Sequence, residues 1–272
     1  MAKYRTAVIA CGTIARVHAR GWLGVPGQPT QIAACADTHP DARREYGEFF
    51  GIPAENRYAD YREMLDKERP DFVDVCSWHQ MHAEMVIAAA ARRPKAILCQ
   101  KPMAVDLGEA DAMITACERN GVKLVIAFQR PHHATWLKAR DLIREGAIGK
   151  VQQVQLDDGG NILNTNSHNI RLALFLMDEP KVDWVMGAVE RTTDQAERGL
   201  PAEDACLALV GCANGATIQI AGNLIRGIGQ GCRVIGTDGI MELDTTRHPD
   251  SEIPTDEPMY SPEGPSAIDR TS

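Results

Sequence analysis

The sequence predicts an α/β fold: a doubly wound parallel sheet in the first half, then an α+β unit with an open, mostly antiparallel sheet. Three observations predict it. Val8 to Arg20 reads as the end of a strand, a loop of small residues and an amphipathic helix. Strand-like and helical segments alternate as far as residue 129, the pattern of a parallel sheet with helices on both faces. Beyond residue 150, short strands follow one another through turn signals, as hairpins do.

Tyr4 to Ala10 is a short buried strand, and Ile14, Val17, His18 and Trp22 recur behind it at helical spacing. Between them, Ala10, Gly12 and Ala15 fall where a dinucleotide fingerprint requires small residues. Gly12 lets backbone N–H groups approach a pyrophosphate. The amides and dipole at the start of the next helix, at Thr13 and Ile14, attract that anion. Ala15 replaces the third glycine and still permits close helix–strand packing. Ala10 replaces the first and weakens the pattern. The next strand, Gln31 to Ala36, ends in Asp37, where an acid accepts hydrogen bonds from an adenosine ribose. An Asp there favours NAD over NADP, because it repels a 2′-phosphate; Arg43 and Arg44 lie one helical turn further on. The competing role for Asp37 is a cap on a strand end.

Pro40 to Phe50 is a helix with proline in its first turn, and Tyr58 to Lys67 is another. Phe72 to Ser77 is a strand. Met81 to Arg93 is an alanine-rich helix stopped by Pro94. Ala96 to Gln100 is a strand running directly into Lys101 and Pro102. Leu107 to Asn120 is a helix closed by Gly121, and Leu124 to Ala127 is the last strand of this half. His133 to Glu145 adds a helix closed by Gly146. Strands follow at Val151–Asp157, Val182–Thr192, Ala205–Cys212, Ala216–Ala221, Cys232–Ile235 and Ile240–Leu243, with Asn166–Leu176 as the helix among them. Asn214-Gly215 and Asp238-Gly239 are hairpin turns. The expected division is 1–129 for a coenzyme domain and 130–272 for a substrate-binding and oligomerisation domain. The tail 245–272 carries five prolines and few apolar residues; Met259, Tyr260 and Ile268 are its expected anchors on its own domain or on a neighbouring subunit.

The chain has 272 residues and a net charge of −8, which disfavours nucleic acid or an anionic membrane as a partner. No apolar run approaches the roughly 18 residues that span a bilayer. The opening Met1-Ala2-Lys3 leaves no room for a signal peptide, so a cytoplasmic location is expected. Eight cysteines, none in a C-x-x-C pair, read as small buried apolar residues in a reducing compartment.

A-C-G-T-I-A, Asp37, S-W-H-Q-M-H-A-E, L-C-Q-K-P-M-A, F-Q-R-P-H-H, I-R-E-G-A-I-G-K-V and N-T-N-S-H-N-I-R occur in that order. Together they resemble the glucose–fructose oxidoreductase / inositol dehydrogenase (Gfo/Idh/MocA) family, from residue 4 to about residue 244. The resemblance implies a Rossmann domain followed by an open sheet often used to form homo-oligomers, here a dimer or tetramer. It also implies oxidation or reduction of sugars, cyclitols and related polyols with NAD(P).

Lys101 carries the strongest site signal: it follows a strand at the carboxyl edge of the sheet, and Pro102 restrains the backbone that aims it. It matches the lysine of the family's Glu-Lys-Pro, with Gln100 in place of the glutamate. An ammonium beside a substrate hydroxyl stabilises the developing alkoxide. In the family, a histidine follows an aspartate by four positions, on one helical face; here these are His168 and Asn164. An imidazole accepts a hydroxyl proton near neutral pH. Where the family often has a further aspartate stands Arg171. The loss of three carboxylates points to an acidic substrate such as a sugar acid, with Arg171 on its carboxylate, or to altered chemistry. The family places Ser77, Trp78, His79 and His82, with Gln100 and Lys101, near the nicotinamide end of the coenzyme; a core Trp and a capping His are the alternatives. Gln129 and Arg130 enter the second domain near the substrate. Arg226 and Arg233 are rim candidates. His79 and His82 lack a third ligand, so no metal is expected. Two other functions remain open: a non-catalytic NAD-binding subunit, and an enzyme that cleaves glycosides through elimination with bound NAD.

Overall fold

The computed structural model describes residues 4–27, 29–158, 160–224 and 231–244. The first half runs β1 (Tyr4–Ile9), α1 (Thr13–Leu23), β2 (Thr30–Ala36), α2 (Pro40–Phe49), β3 (Arg57–Tyr58), α3 (Tyr61–Glu68), β4 (Phe72–Val75), α4 (His82–Ala90), β5 (Ala96–Gln100), α5 (Leu107–Asn120) and β6 (Lys123–Ala127). The six strands are parallel, in the order β3-β2-β1-β4-β5-β6. Strand order reverses between β1 and β4, so a crevice opens beyond their carboxyl ends.

The pleat sends neighbouring residues of β1 to opposite faces. Val8 packs with Ala15, Cys35 and Tyr46 on one side, while Ala7 and Ile9 join Met64, Leu65, Val86 and Met113 on the other. Local signals fix the helix ends. Asp106 accepts from the Glu109 amide at 2.8 Å to start α5, and Gly121, at φ 68°, closes it. One boundary differs from the sequence-based expectation. Arg57 and Tyr58 pair with Cys35 and Ala36 as β3, and α3 begins only after Asp60, whose carboxylate accepts from the Arg62 amide at 2.8 Å.

The second half runs α6 (Ala134–Arg144), β7 (Val151–Asp158), α7 (Asn166–Leu176), β8 (Val182–Glu190), β9 (Ala196–Glu197), β10 (Leu200–Pro201), β11 (Ala205–Cys212), β12 (Thr217–Gly222), β13 (Gly231–Gly236) and β14 (Ile240–Asp244). Its main sheet has the order β14-β13-β7-β12-β11-β8 and is mixed: β7 and β12 are parallel, the other pairs antiparallel. Leu172, Phe175 and Leu176 of α7 pack on Val154, Leu156, Ile218, Ile220 and Val234. Gly215, at φ 85°, makes the β11–β12 turn that Asn214-Gly215 announces. The β9–β10 hairpin was not expected, and it lies where the sequence reads as a polar loop. Arg226 and the tail with Met259, Tyr260 and Ile268 lie outside the described residues. All eight cysteines are buried and free. Among the described residues, no helix is long and apolar enough to cross a membrane.

Candidate active site

β1, β2 and β4 end side by side at a cavity of about 520 Å3, lined by Ala10, Gly12, Asp37, Ser77 and Trp78 among others. α1 starts there on Gly12, with no side chain capping its first turn and no acid within it. The amides of Thr13 and Ile14 and the helix dipole therefore face the crevice unneutralised, as an anion requires. A Cβ placed on Gly12 would meet no protein atom within 4 Å, so a phosphate has room to reach the backbone. Ala10 adopts φ 70°, the left-handed conformation that the fingerprint's first glycine serves. Ala15 is fully buried, and the Tyr46 hydroxyl donates to its carbonyl at 3.3 Å.

Asp37 accepts from the backbone N–H of Cys11 and of His39, each at 2.8 Å. It thus ties the loop after β1 to the end of β2, the capping role, while it lines the cavity. Arg43 donates to the Asp37 carbonyl at 2.5 Å. Trp78 stands at the rim, 54% exposed. An open helix N-terminus, a glycine facing empty space and an acid at the end of β2 fit a dinucleotide with an unmodified adenosine ribose.

His82 takes a different place from its neighbours. It is fully buried, with Nδ1 2.9 Å from the Pro102 carbonyl and Nε2 3.0 Å from the Ser77 carbonyl. It staples the loop after β4 to the loop after β5 rather than lining the cavity. Gln100 is buried as well. Its Oε1 accepts from the Lys101 amide at 2.7 Å, which turns its Nε2 toward His18 Nε2 at 3.2 Å. His18 Nδ1 donates to Asp74 Oδ1 at 2.9 Å, and Trp22 Nε1 donates to Asp74 Oδ2 at 2.8 Å. His18, Asp74 and Cys76 are the one trio of potential metal ligands that the described residues bring together. Hydrogen bonds within this network already engage all three.

Lys101 reaches across to the second half. Its Nζ donates to Asn164 Oδ1 at 2.7 Å and to the Asn164 carbonyl at 3.1 Å. Burial pushes its pKa down to about 8; Arg198 and Arg130 add to the shift and Glu197 opposes it. Asn164 is not on the helix with His168, as the i, i+4 spacing suggested. It sits in the turn before α7, which starts at Asn166. His168 is buried one turn further on, edge-on to Phe128 with ring centroids 5.7 Å apart. Arg130 Nη1 donates to Asn169 Oδ1 at 2.6 Å, and Asn169 donates to Asn166 Oδ1 at 3.1 Å, so Arg130 ties the interdomain segment to α7. Gln129 is exposed at the start of that segment. Arg171 is engaged elsewhere: its guanidinium pairs with Glu179, past the C-terminal end of α7. Arg233 pairs with Glu242 across β13 and β14.

The residue that sequence reasoning missed is Glu197, at the end of β9. Its carboxylate accepts from the side-chain amides of Asn161 and Asn164. His79, 2% exposed and with neither ring nitrogen hydrogen-bonded, lines a small pocket with Asn161, Asn164, Glu197 and Glu203. Burial foremost, then Arg198 and His82, lowers the pKa of His79.

A family model described as an oxidoreductase family with an NAD-binding Rossmann fold matches residues 4–128, and the Gfo/Idh/MocA C-terminal domain matches residues 155–242. This chain belongs to the Gfo/Idh/MocA family. Its first half is the family's NAD-binding Rossmann domain. A D-apiose dehydrogenase of Paraburkholderia graminis is 35% identical over 147 residues, 54% of this chain and 38% of that protein. A myo-inositol 2-dehydrogenase of Thermotoga maritima is 26% identical over 259 residues, 89% of this chain and 76% of that protein. An NAD-binding oxidoreductase from Klebsiella pneumoniae superposes with a TM-score of 0.77 at 25% identity, over 90% of this chain and 74% of that one. The WlbA dehydrogenase of Bordetella pertussis shares the fold at 22% identity, with a TM-score of 0.76 over 88% of this chain and 77% of that one. The chain therefore spans well under half of the first of these Gfo/Idh/MocA relatives and about three quarters of the others.

Proposed function

We propose that this chain is an NAD-dependent dehydrogenase that acts on a CH–OH group of a sugar or cyclitol. One observation carries the reading: a half-buried ammonium, Lys101, follows β5, the neighbour of the strand β4 whose end lines the cavity, and meets the turn that leads to a buried imidazole, His168. In this reading Thr13 and Ile14 hold the pyrophosphate, Asp37 the adenosine ribose, and Ser77 and Trp78 the nicotinamide end. When bound, NAD supplies a hydride acceptor. Lys101 donates a hydrogen bond to the substrate oxygen and stabilises the charge that develops there. His168 takes the hydroxyl proton. Residues 1–129 serve the coenzyme, and residues 130–272 serve the substrate and assembly.

A homo-oligomer formed through the second sheet belongs to the same proposal. β8 is an edge strand, exposed along its length, that carries Trp184, Val185, Met186 and Val189, with exposed Leu207 beside it on β11. Such an apolar strand edge favours association with a second copy. The test is to mix the protein with NAD and a panel of sugars, cyclitols and sugar acids. NADH formation that is abolished by Lys101→Met supports the reading. Tight NAD binding in calorimetry with no turnover on the panel rejects it.

A further inference from the structure

The β9–β10 hairpin turns on Arg198 and Gly199, at φ 51° and 81°. Two consecutive left-handed residues make the tight turn whose twist suits a hairpin. The Arg198 carbonyl accepts from Gln80 Nε2 at 2.6 Å, which pins the hairpin onto the loop after β4. Glu197 is thereby delivered between the two halves of the molecule. Its amide partners are ordered as well: Asn161 Oδ1 accepts from the Asn164 backbone N–H at 2.7 Å. A carboxylate only accepts, so each Asn turns its NH2 toward Glu197. Asn164 is then left with its oxygen toward the Lys101 ammonium, 2.7 Å away.

Glu197 uses part of its acceptor capacity on these amides. The adjoining pocket, of about 20 Å3, has room for one hydroxyl or one water. His79 lines it with two unpaired ring nitrogens, a buried polar group that lacks a partner. Glu203 lines it too, held by the Ile162 amide. Two carboxylates, one imidazole and two amides around a hydroxyl-sized space suit a neutral alcohol and repel an anion.

We propose that Glu197 is a specificity-determining and positioning residue: with His79 it receives one hydroxyl of a neutral polyhydroxy substrate, and through Asn164 it holds the Lys101 ammonium in place. The proposal rests on the dehydrogenase reading for its substrate and stands apart from it for its effect on Lys101. It favours neutral sugars and cyclitols over sugar acids. Among the described residues, Glu197 opposes the effect of the cations Arg198 and Arg130 on Lys101, and it reaches the ammonium through Asn164.

The test uses the full chain and the variants Glu197→Gln and Glu197→Asp. The first readout needs no substrate. The Lys101 13Cε shift is followed against pH in lysine-labelled protein, with Lys101→Met to assign it. Glu197→Gln is expected to lower the titration midpoint by about half to one pH unit, and Glu197→Asp is expected to restore it. The second readout is steady-state kinetics with NAD on myo-inositol, D-glucose and D-glucuronate. For whichever neutral compound is used, Glu197→Gln is expected to raise KM at least about tenfold, leave the NAD dissociation constant unchanged and shift preference toward D-glucuronate. An unchanged midpoint overturns the proposal, as does an unchanged KM. If the unaltered protein oxidises none of the three and no other member of the sugar and cyclitol panel, the dehydrogenase reading falls and the midpoint alone decides the role of Glu197. If Glu197→Gln does not fold, Glu197→Asp decides: the shorter acid keeps the midpoint and raises KM if the proposal holds, and leaves KM unchanged if it fails.

Discussion

Gln100 Nε2 lies 3.2 Å from His18 Nε2 and links the strand that delivers Lys101 to the helix that opens the coenzyme cavity. Each proton in this link is dictated by its neighbour. The Lys101 amide needs an acceptor, so Gln100 presents its oxygen there and its NH2 to His18. His18 must then accept at Nε2 and carry its hydrogen on Nδ1, where Asp74 takes it.

Gln100→Glu tests that chain. A carboxylate still accepts from the Lys101 amide, but its second oxygen then faces the lone pair of His18 Nε2. The clash is relieved only when the imidazole takes a second proton. The variant is expected to lose about 1–2 kcal/mol at pH 8 in urea denaturation. The deficit should shrink at pH 6, because the extra proton binds the folded form more tightly and its stabilisation is lost as pH rises. A deficit that is independent of pH would sink this account.

Ala10→Gly is expected to stabilise the protein. Ala10 is held at φ 70°, where a Cβ costs about 1–2 kcal/mol. The added chain entropy of glycine in the unfolded state offsets part of that gain. The net gain is expected to be about 0.5–1 kcal/mol, seen as a rise in Tm. Unchanged or lower stability would mean that the methyl group earns its place through packing.

The sequence made much of this molecule legible, and the parts it hid share one cause. The phosphate loop, β5 and α7 are read from local patterns: small-residue spacing, an apolar run and 3.6-residue periodicity. Lys101 follows because it is one residue beyond such a run. Gln100 read as a missing charge; its partner His18 is 82 residues away, beyond any local pattern. Glu197 was invisible for the same reason. It sits in a two-residue strand inside D-Q-A-E-R-G, too short for periodicity, and its partner Asn164 is 33 residues distant. Only Gly199 hinted at a turn. Arg171 misled in the opposite sense, because i, i+3 spacing puts it near His168 while its long side chain reaches Glu179 instead.

Gly12→Val separates folding from coenzyme binding. The added side chain starts in open space, and the backbone at φ −73° accepts any residue. Tm is therefore expected to stay close to the parent value, as for substitutions that disturb no packing. Calorimetry should show the NAD dissociation constant rising at least about tenfold, because the branched chain occupies the approach to the Thr13 and Ile14 amides. Equal NAD affinity in parent and variant would place the pyrophosphate elsewhere.

The rate of NAD reduction is expected to fall as pH rises through about 8, where the Lys101 ammonium loses its proton. The sign follows from the cause. Burial disfavours the charged form, so the folded protein releases this proton before the unfolded chain does. Catalysis that needs the ammonium declines above that point. The stability contribution moves the other way: the burial penalty is fully present below about pH 8 and is relieved between there and the ordinary lysine value of 10.5. Lys101→Arg keeps a cation at every accessible pH, so any residual activity should lose the alkaline limb. Lys101→Met should lower kcat by at least about 100-fold at all pH values. A limb near pH 8 that survives in Lys101→Arg would assign that titration to another group.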